Sequence, residues 1–523
     1  MSLRVLGQTP GDLVSGFGNS GRVIVDYGDI DHCEDILIDS LDQVYFAGYT
    51  TSFNPVTNTD FILGKLKPNG EIDSTFGING FYTGDFPKAN TSTILDVRFA
   101  DDGIILFGSG IKYGVADTQF IYVSKVNFNG ELDTAFADSG TISGAFLTHY
   151  NYPGSMAVLP NGKILVCGSA YDSTTVQDVP LIGRLLPNGR PDTAFSPTGF
   201  KYWDMTGPMQ NAGNLFPNMP EHGAGGFFDG ILEVNGNYFL SGFYNSGTTI
   251  HCLMAMIDST GSFVPNFATG GYLIFQNNPL LSNKIVASAR FGNDILLGIH
   301  FDDLPPNDDF VVQVIDTLGT LTTNFATDFY GQRDAIKDIL VHNNAFFVTG
   351  YSTLNGHIQP GFESDYFTLA KYDGAGMLNN QFAGNGLLEE HFQLNDEAGS
   401  TCAAAYGNYL VVGGYLNQVS GSNITDFGIL KVFDETTTSI PEFQEEPLVI
   451  FPNPAQDMVS VHATEALEQV AFYTSVGQEL KGVFSTSKSN TRTCDVSGFP
   501  PGIYTVRATT VSGKYLVSRI MVR

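Results

Sequence analysis

Cationic side chains are scarce in this chain: 25 Lys and Arg stand against 54 Asp and Glu over 523 residues, a formal net charge of -29. An acidic surface repels phosphate backbones and anionic headgroups, which argues against nucleic acid as a partner and against electrostatic docking on anionic lipid. Cations or neutral glycans suit that charge better, although acidity also serves simply to keep a large body soluble. Long apolar runs are missing as well. None approaches the ~18 residues of a membrane span, so no transmembrane segment is expected. The opening MSLRVLGQTPGD lacks the apolar core of a signal peptide, so an exported form is expected to have lost its leader from this version of the chain. Cysteine is sparse and odd in number, and Cys33, Cys167, Cys252, Cys402 and Cys494 show no CxxC spacing, which indicates neither a zinc knuckle nor a disulfide framework. Charged residues make up only 15% of the chain while 59 glycines punctuate it, a balance that suits short strands and tight turns better than exposed helices. The expected class is all-β.

What is abundant is repetition. A phenylalanine-centred frame recurs at Phe17, Phe76, Phe136, Phe195, Phe267, Phe325 and Phe382, with spacings of 59, 60, 59, 72, 58 and 57 residues. It reads PNGEIDSTFGING at 68–80, FNGELDTAFADSG at 128–140 and PNGRPDTAFSPTG at 187–199. Between anchors the same strand-like runs return, as in DILID (35–39), QVYFAGYT (43–50) and DFILGKLK (60–67), with a fourth run after the anchor, GFYTGDF (80–86). Four strands per ~60 residues is the signature of a β-propeller blade. The anchor copies predict seven blades. The stretch GRVIVDY (21–27) is a fourth-type strand with no partners before it, and the last unit ends at its third strand, DFGILKVF (426–433). The N-terminal strand is therefore expected to complete the seventh blade, which removes exposed sheet edges.

Repetition also explains residues that could pass for sites. Asn69-Gly70, Asn129-Gly130 and Asn188-Gly189 sit at one phase of the repeat, where a turn needs positive φ. Asp73, Asp133 and Asp192 precede the anchor by three residues, a position for Asx-turns rather than catalysis. The evenly repeated Asp60, Asp178, Asp309, Asp365 and Asp426 at the start of strand three are read as structural too. Gly16-Phe17-Gly18-Asn19-Ser20-Gly21 spells GxGxxG but opens a strand, so it is the anchor turn and not a dinucleotide fingerprint. Later units, FVPNF, LTTNF and LNNQF, keep only the Phe.

After a polar linker, DETTTSIPEFQEEP (434–447), the composition changes. Residues 447–523 carry seven Lys and Arg against five Asp and Glu, so the acidity belongs to the chain before them. Alternation in VSVHA and IYTVRA reads as half-buried strands of a small Ig-like β-sandwich at 448–523.

The LDT-F-G turns followed by a DFxLxK strand resemble the delta-60 propeller repeats of secreted bacterial proteins over roughly residues 8–433, a family that implies a fold and no chemistry. The tail resembles the C-terminal sorting domain of the type IX secretion system of Bacteroidetes. The residues that carry this are Pro452, Asn453 and Pro454, then Gly477 and Gln478, then Gly502 and Tyr504 around Ile503, and Arg523 at the end. That resemblance implies export across both membranes, partnership with the type IX machinery, and display on the outer cell surface.

Departures from the repeat are where a ligand is expected. The 72-residue interval places an insertion at about 203–228, on the face that rims a central channel. It holds the only tryptophan, Trp203, beside Asp204, and either stacks on a sugar ring or plugs the channel. His32, His149 and His222 are expected in three loops of that face, with Asp31 and Glu221 adjacent in sequence and His300 and His357 joining them from the other set of loops on the same face. No metal site is assigned, since HExxH and paired spacings are missing; a divalent cation is the one cofactor these groups suggest. The reading is a secreted, surface-displayed binding or adhesion module for a glycan or protein ligand. The alternative is an exported polysaccharide-degrading lyase or hydrolase acting near 203–228. Catalysis is left open, leaning to none, because carboxylates are too numerous to single out an acid/base pair.

Overall fold

Strands and tight turns make up the computed structural model, which describes residues 8–53, 58–114, 118–144, 150–174, 176–203, 225–276, 282–301, 310–327, 334–353, 365–390, 392, 397–417, 424–434, 448–452, 455–463, 465–473, 479–480, 483–484, 489–500, 502–511 and 515–522. No helix occurs among the described residues. The chain divides into two units, Met1–Thr436 and Thr437–Arg523.

In the first unit the strands come in groups of four. The innermost strands are Ile30–Ile38, Thr91–Ala100, Asn151–Val158, Gly225–Val234, Asn283–Phe291, Asp334–His342 and Glu397–Tyr406. Each pairs antiparallel with the next strand in sequence, and so on outward, as in the order Ile30–Ile38, Val44–Ser52, Asn58–Leu66, Phe81–Gly84. A single parallel bridge, Asp178 to Gly225, joins the third and fourth groups into one sheet. The last group takes its outer strand from the other end of the chain: Arg22–Val25 pairs with Asp426–Phe433, Ile24 lying opposite Gly428.

One apolar cluster lies between each group and the next. Tyr45 and Ala47 pack with Ile94 and Val97, Phe107 with Met156, Leu165 with Phe228, Phe239 with Ile285, Leu296 with Ile336 and Phe347 with Leu410. The succession returns on itself, because Ile36 and Phe46 of the first group share a cluster with Val411 and Phe427 of the last. A four-stranded sheet has two apolar faces and cannot cover either alone, so each group depends on both neighbours.

The repeated motif supplies the second layer of that contact. Six anchor phenylalanines are buried, Phe17 and Phe382 completely, while Phe325 is half-buried because LTTNF lies in a strand, Leu321–Thr327, rather than in a turn. The turn glycine of one group presses on the anchor of the group before it. A Cβ on Gly189 would meet the Phe136 ring at 2.6 Å, one on Gly261 the Phe195 ring at 2.4 Å, and one on Gly376 the Phe325 ring at 2.7 Å. Backbone bonds fix the contact, with Gly77 N–H donating to Asn129 O at 2.6 Å and Ala137 N–H to Asn188 O at 2.7 Å. At the seam Pro10 takes the same role, accepting from Ala383 N–H at 2.9 Å.

The basic residue of strand three completes the unit. Lys65, Arg184, Lys371 and Lys431 stand over Phe76, Phe195, Phe382 and Phe17 at 5.9, 4.7, 5.9 and 5.4 Å from the ring centroids. Three such residues also meet the aspartate three positions before the anchor: Lys65 with Asp73 at 3.3 Å, Lys125 with Asp133 at 3.3 Å and Arg184 with Asp192 at 2.7 Å. The Asx-turns are present, since Asp73 Oδ1 accepts from Thr75 N–H and Asp192 Oδ1 from Ala194 N–H. The extra ion pair is the part that the turn reading did not contain. Lys371 pairs instead with Asp434, 2.7 Å away and completely buried, so this residue, at the head of the expected linker, belongs to the first unit.

Strand boundaries differ from the sequence expectation where polar residues occupy strand positions. The first inner strand begins at Ile30 rather than Asp35, because IDHCE alternates between a buried polar belt and a polar wall. The fourth strand is shorter, Phe81–Gly84.

The second unit has two four-stranded sheets. One contains Val449–Phe451, Met458–His462, Thr491–Asp495 and Val483–Phe484; the other Glu479–Leu480, Leu467–Tyr473, Gly502–Thr510 and Tyr515–Val522. Val459, Phe472, Cys494, Val506 and Ile520 share one core.

The glycine contact is open to a direct test. Gly130 has φ +78° and a Cβ there would lie 2.6 Å from Gly77 N. Gly130→Ala is expected to lower stability by about 2 kcal/mol or more through backbone strain and clash. A shift of the urea midpoint with unchanged far-UV circular dichroism is the readout.

Candidate functional site

All seven innermost strands carry a β-bulge at the same level. The register slips between Cys33 and Asp35, Ile94 and Asp96, Pro153 and Met156, Phe228 and Gly230, Ile285 and Ala287, Ile336 and Asp338, and Ser400 and Cys402. A bulge puts an extra residue out of the ladder and re-aims its side chain. Here the extra residues Glu34, Asp229, Lys337 and Thr401 line a cavity of about 920 Å³ that draws on all seven inner strands.

The wall is charged and mixed in sign. Arg98, Lys284 and Lys337 share it with Glu34, Asp35, Asp96, Asp229 and Asp338, together with His32, His300 and Tyr415. Three of the carboxylates bind the neighbouring group. Asp35 Oδ2 accepts from Val97 N–H at 2.8 Å, Asp96 Oδ2 from Met156 N–H at 2.8 Å and Asp338 Oδ2 from Ala403 N–H at 3.0 Å. Arg98 Nη1 lies between two of them, 2.7 Å from Asp35 Oδ2 and 2.6 Å from Asp96 Oδ1. The pairing and flanking carboxylates hold the guanidinium firmly protonated against its burial.

Asp229 has a different setting. It is exposed to the cavity yet crowded by the walls, and desolvation pushes its carboxyl up to about 6, with Glu34 adding to the rise and Lys284 opposing it. Burial likewise pushes Asp338 up to about 6, against its bond from Ala403. Such a carboxyl binds a proton near neutral pH and is suited to donate a hydrogen bond to an incoming oxygen.

His32 belongs to the strand Ile30–Ile38, not to a loop as expected. Its ring is stacked between Tyr49 (centroids 5.4 Å apart) and Tyr415 (4.8 Å), with Nδ1 3.1 Å from Glu34 Oε1. Strand alternation keeps it from the adjacent Asp31, which is fully buried and accepts from Tyr27 N–H, Gly28 N–H and Thr50 Oγ1. Asp26, Asp31 and Asp426 have oxygens within 4.8 Å of one another, the one grouping of metal-ligand type among the described residues. Asp31 already accepts three bonds there, and burial raises its affinity for a proton.

Trp203 is half-buried at the edge of the cluster between the third and fourth groups. It stacks on Phe263 at 5.0 Å and meets Phe228 edge-on at 6.0 Å. His300 reaches the cavity from the strand Asp294–Phe301. Asp204, His222, His149, Glu221 and His357 lie outside the described residues. The sequence reading overlooked Asp35, Asp96, Asp229 and Asp338. Their signal was an acidic residue inside each apolar run, as in HCED, TILD, FFDG and AIKD, which looked like a strand start.

In the second unit Tyr504 is buried, packs its ring at a tilt against Phe499 with centroids 5.5 Å apart and donates its hydroxyl to Pro500 O. Gly502 opens the strand that pairs with Tyr515–Val522. Pro452 is exposed, while Asn453, Pro454, Gly477, Gln478 and Arg523 lie outside the described residues.

The raised Asp229 predicts a pH signature. A carboxyl with a raised folded-state pKa binds its proton more tightly in the folded chain, so its unfavourable contribution is absent below about pH 4, sets in as pH rises, and is complete above about pH 6. Asp229→Asn should therefore match the parent in urea midpoint at pH 4 and exceed it at pH 8.

Residues 449–523 match the secretion system C-terminal sorting domain, and residues 159–195 match a domain of unknown function (DUF5122) described as a β-propeller. None of the curated proteins compared with the chain matches it. Similar solved structures include the polysaccharide lyase Uly1, at 9% identity and TM-score 0.44, covering 78% of this chain and 90% of that one. A GH43 endo-arabinanase from Bacillus licheniformis has 11% identity and TM-score 0.28 over 55% of this chain and 94% of its own. The β-propeller domain of the Trilobed protease from Pyrococcus furiosus has 9% identity and TM-score 0.32 over 78% and 96%. Likenesses at this level carry no argument about activity. The chain is a β-propeller protein that ends in a type IX secretion system C-terminal sorting domain.

Proposed function

We propose that this is a secreted binding module displayed on the outer cell surface. Its body is a seven-bladed β-propeller over residues 8–433, closed by its N-terminal strand. A linker beginning after the buried Asp434 leads to an Ig-like sorting sandwich at 448–523. The match of residues 449–523 to the sorting domain supports export and handling by the type IX machinery. The observation that carries the binding reading is the cavity of about 920 Å³, large enough for a few sugar rings or a short peptide, with cations and carboxylates interleaved on its wall. Such a wall suits a hydroxyl-rich glycan, whose oxygens both donate and accept. Asp35, Asp96 and Asp338 each give one oxygen to a backbone amide of the next sheet, a structural use that supports the binding reading.

A second reading, an exported polysaccharide-degrading enzyme, rests on Asp229. Its carboxyl, raised to about 6 and facing the cavity, has the protonation a general acid requires.

A glycan array followed by calorimetry tests both. The binding reading expects a ligand whose affinity falls by about tenfold or more in a Lys284→Ala, Lys337→Ala double variant, the loss of a charge-assisted contact. Release of cleaved product from the bound glycan, abolished in Asp229→Asn, would overturn it in favour of the enzyme. For export, removal of residues 449–523 from the full-length gene is expected to leave the protein inside the cell. Unchanged surface display of that truncated form would refute the sorting role.

A further inference from the structure

The seam between the last and first groups is chemically unlike the others. At three other seams a carboxylate beside the bulge accepts a backbone amide of the next inner strand: Asp35 from Val97, Asp96 from Met156 and Asp338 from Ala403. The residue at that position in the last group is Cys402, and it faces Cys33. The two sulfurs lie 3.7 Å apart, and the side chains are 3% and 0% exposed. They are separated by 369 residues in sequence.

The surroundings hold both sulfurs at this spot. Thr401 Oγ1 donates to Cys33 O across the seam, tying the two inner strands together at the level of the thiols. Gly413, opposite Cys402 in the adjoining strand, leaves the room: a Cβ there would lie 2.9 Å from Cys33 Sγ and 3.0 Å from Cys402 Sγ. The remaining cysteines are elsewhere, Cys167 and Cys252 in other clusters of the first unit and Cys494 in the core of the second.

We propose that Cys33 and Cys402 form a disulfide that locks the first inner strand to the last when the exported chain folds in an oxidising compartment. Chain continuity is broken inside the last group, where Arg22–Val25 pairs with Asp426–Phe433, so the three inner strands of that group are held to Ile30–Ile38 by that pairing, by the bond from Asp31 N–H to Thr425 O and by side-chain contacts. A cross-link here closes a loop of nearly the whole body, where the loss of unfolded-state freedom is greatest. The oxidant is a disulfide, either of a thiol oxidoreductase or of glutathione. One cysteine thiolate attacks it and displaces a thiolate, giving a mixed disulfide. The second cysteine thiolate then attacks that sulfur, the Cys33–Cys402 bond forms, and two electrons and two protons have passed to the oxidant, which leaves as thiols. Burial of both sulfurs protects the bond once the seam has closed.

The compartment rests on the export reading; the pairing itself does not, so the test has two arms. Purified full chain is unfolded under reduction, refolded with a glutathione redox pair, alkylated and mapped by mass spectrometry. The expected result is a Cys33–Cys402 linked peptide, three of the five thiols alkylated, and an unfolding midpoint roughly 5 °C above that of the same protein refolded reduced. Cys402→Ala should show the lower midpoint under both conditions. In the second arm the protein is recovered from the surface of expressing cells and alkylated in denaturant without reductant, with the same peptide expected. Five alkylated thiols after oxidative refolding would overturn the pairing. A linked peptide on refolding but five alkylated thiols in surface-recovered protein would overturn the proposal for the exported form. If no protein reaches the surface, the export reading fails and the refolding arm alone decides the pairing.

Discussion

The contact on which the first unit depends is the one between an anchor phenylalanine and the turn glycine of the following group. A ring buried to within a few per cent of complete contributes about 1.5–3 kcal/mol through removal from water. That gain requires a surface with no side chain on it, and the glycine provides one. The backbone bond from the residue after the anchor to the next turn fixes the approach, and the basic residue of strand three covers the ring from the other side. The contact involves neighbouring groups only, so it propagates along the chain and needs a partner at each end. Gly11 and Pro10 supply it at the N-terminus, against Ala383.

With the outer rims held in this way, the inner strands are brought to a common level. Their bulges then coincide around one cavity, and residues 59 or more positions apart become neighbours on its wall. Low dielectric inside that wall makes each charge matter. Burial raises the proton affinity of Asp96, Asp338 and Asp229 alike, but Asp96 and Asp338 each accept an amide from the next sheet, while Asp229 faces the cavity with an opposing lysine and a nearby glutamate. The same geometry therefore ties some of the cavity's acids to the scaffold through an amide and leaves Asp229 turned to the open space.

The seam follows the pattern of the other interfaces in its outer layer and departs from it in its inner layer. Lys431 covers Phe17 as Lys371 covers Phe382, so the N-terminal anchor is a full member of the last group. On the inner strands the carboxylate-to-amide bond gives way to a pair of sulfurs beside a glycine. The two sulfurs lie between the first inner strand and the last, next to the sheet in which strands from the two ends of this unit pair.

The sequence by itself determined the all-β class, the positions of the anchors and turns, the membership of residues 21–27 in the last group, and the character of the tail. Those features rest on local rules: alternation, positive-φ turns, and a period that survives drift in all but the phenylalanine. Tertiary structure decided which carboxylates face the cavity, because a bulge shifts the side-chain alternation by one residue and an apolar run such as DILID gives no sign of where it lies. It decided that His32 stacks between Tyr49 and Tyr415 instead of meeting Asp31, since adjacent strand residues point to opposite faces. And it brought Cys33 to Cys402, a pairing invisible to any spacing rule, because only the return of the last group onto the first makes positions 369 apart adjacent.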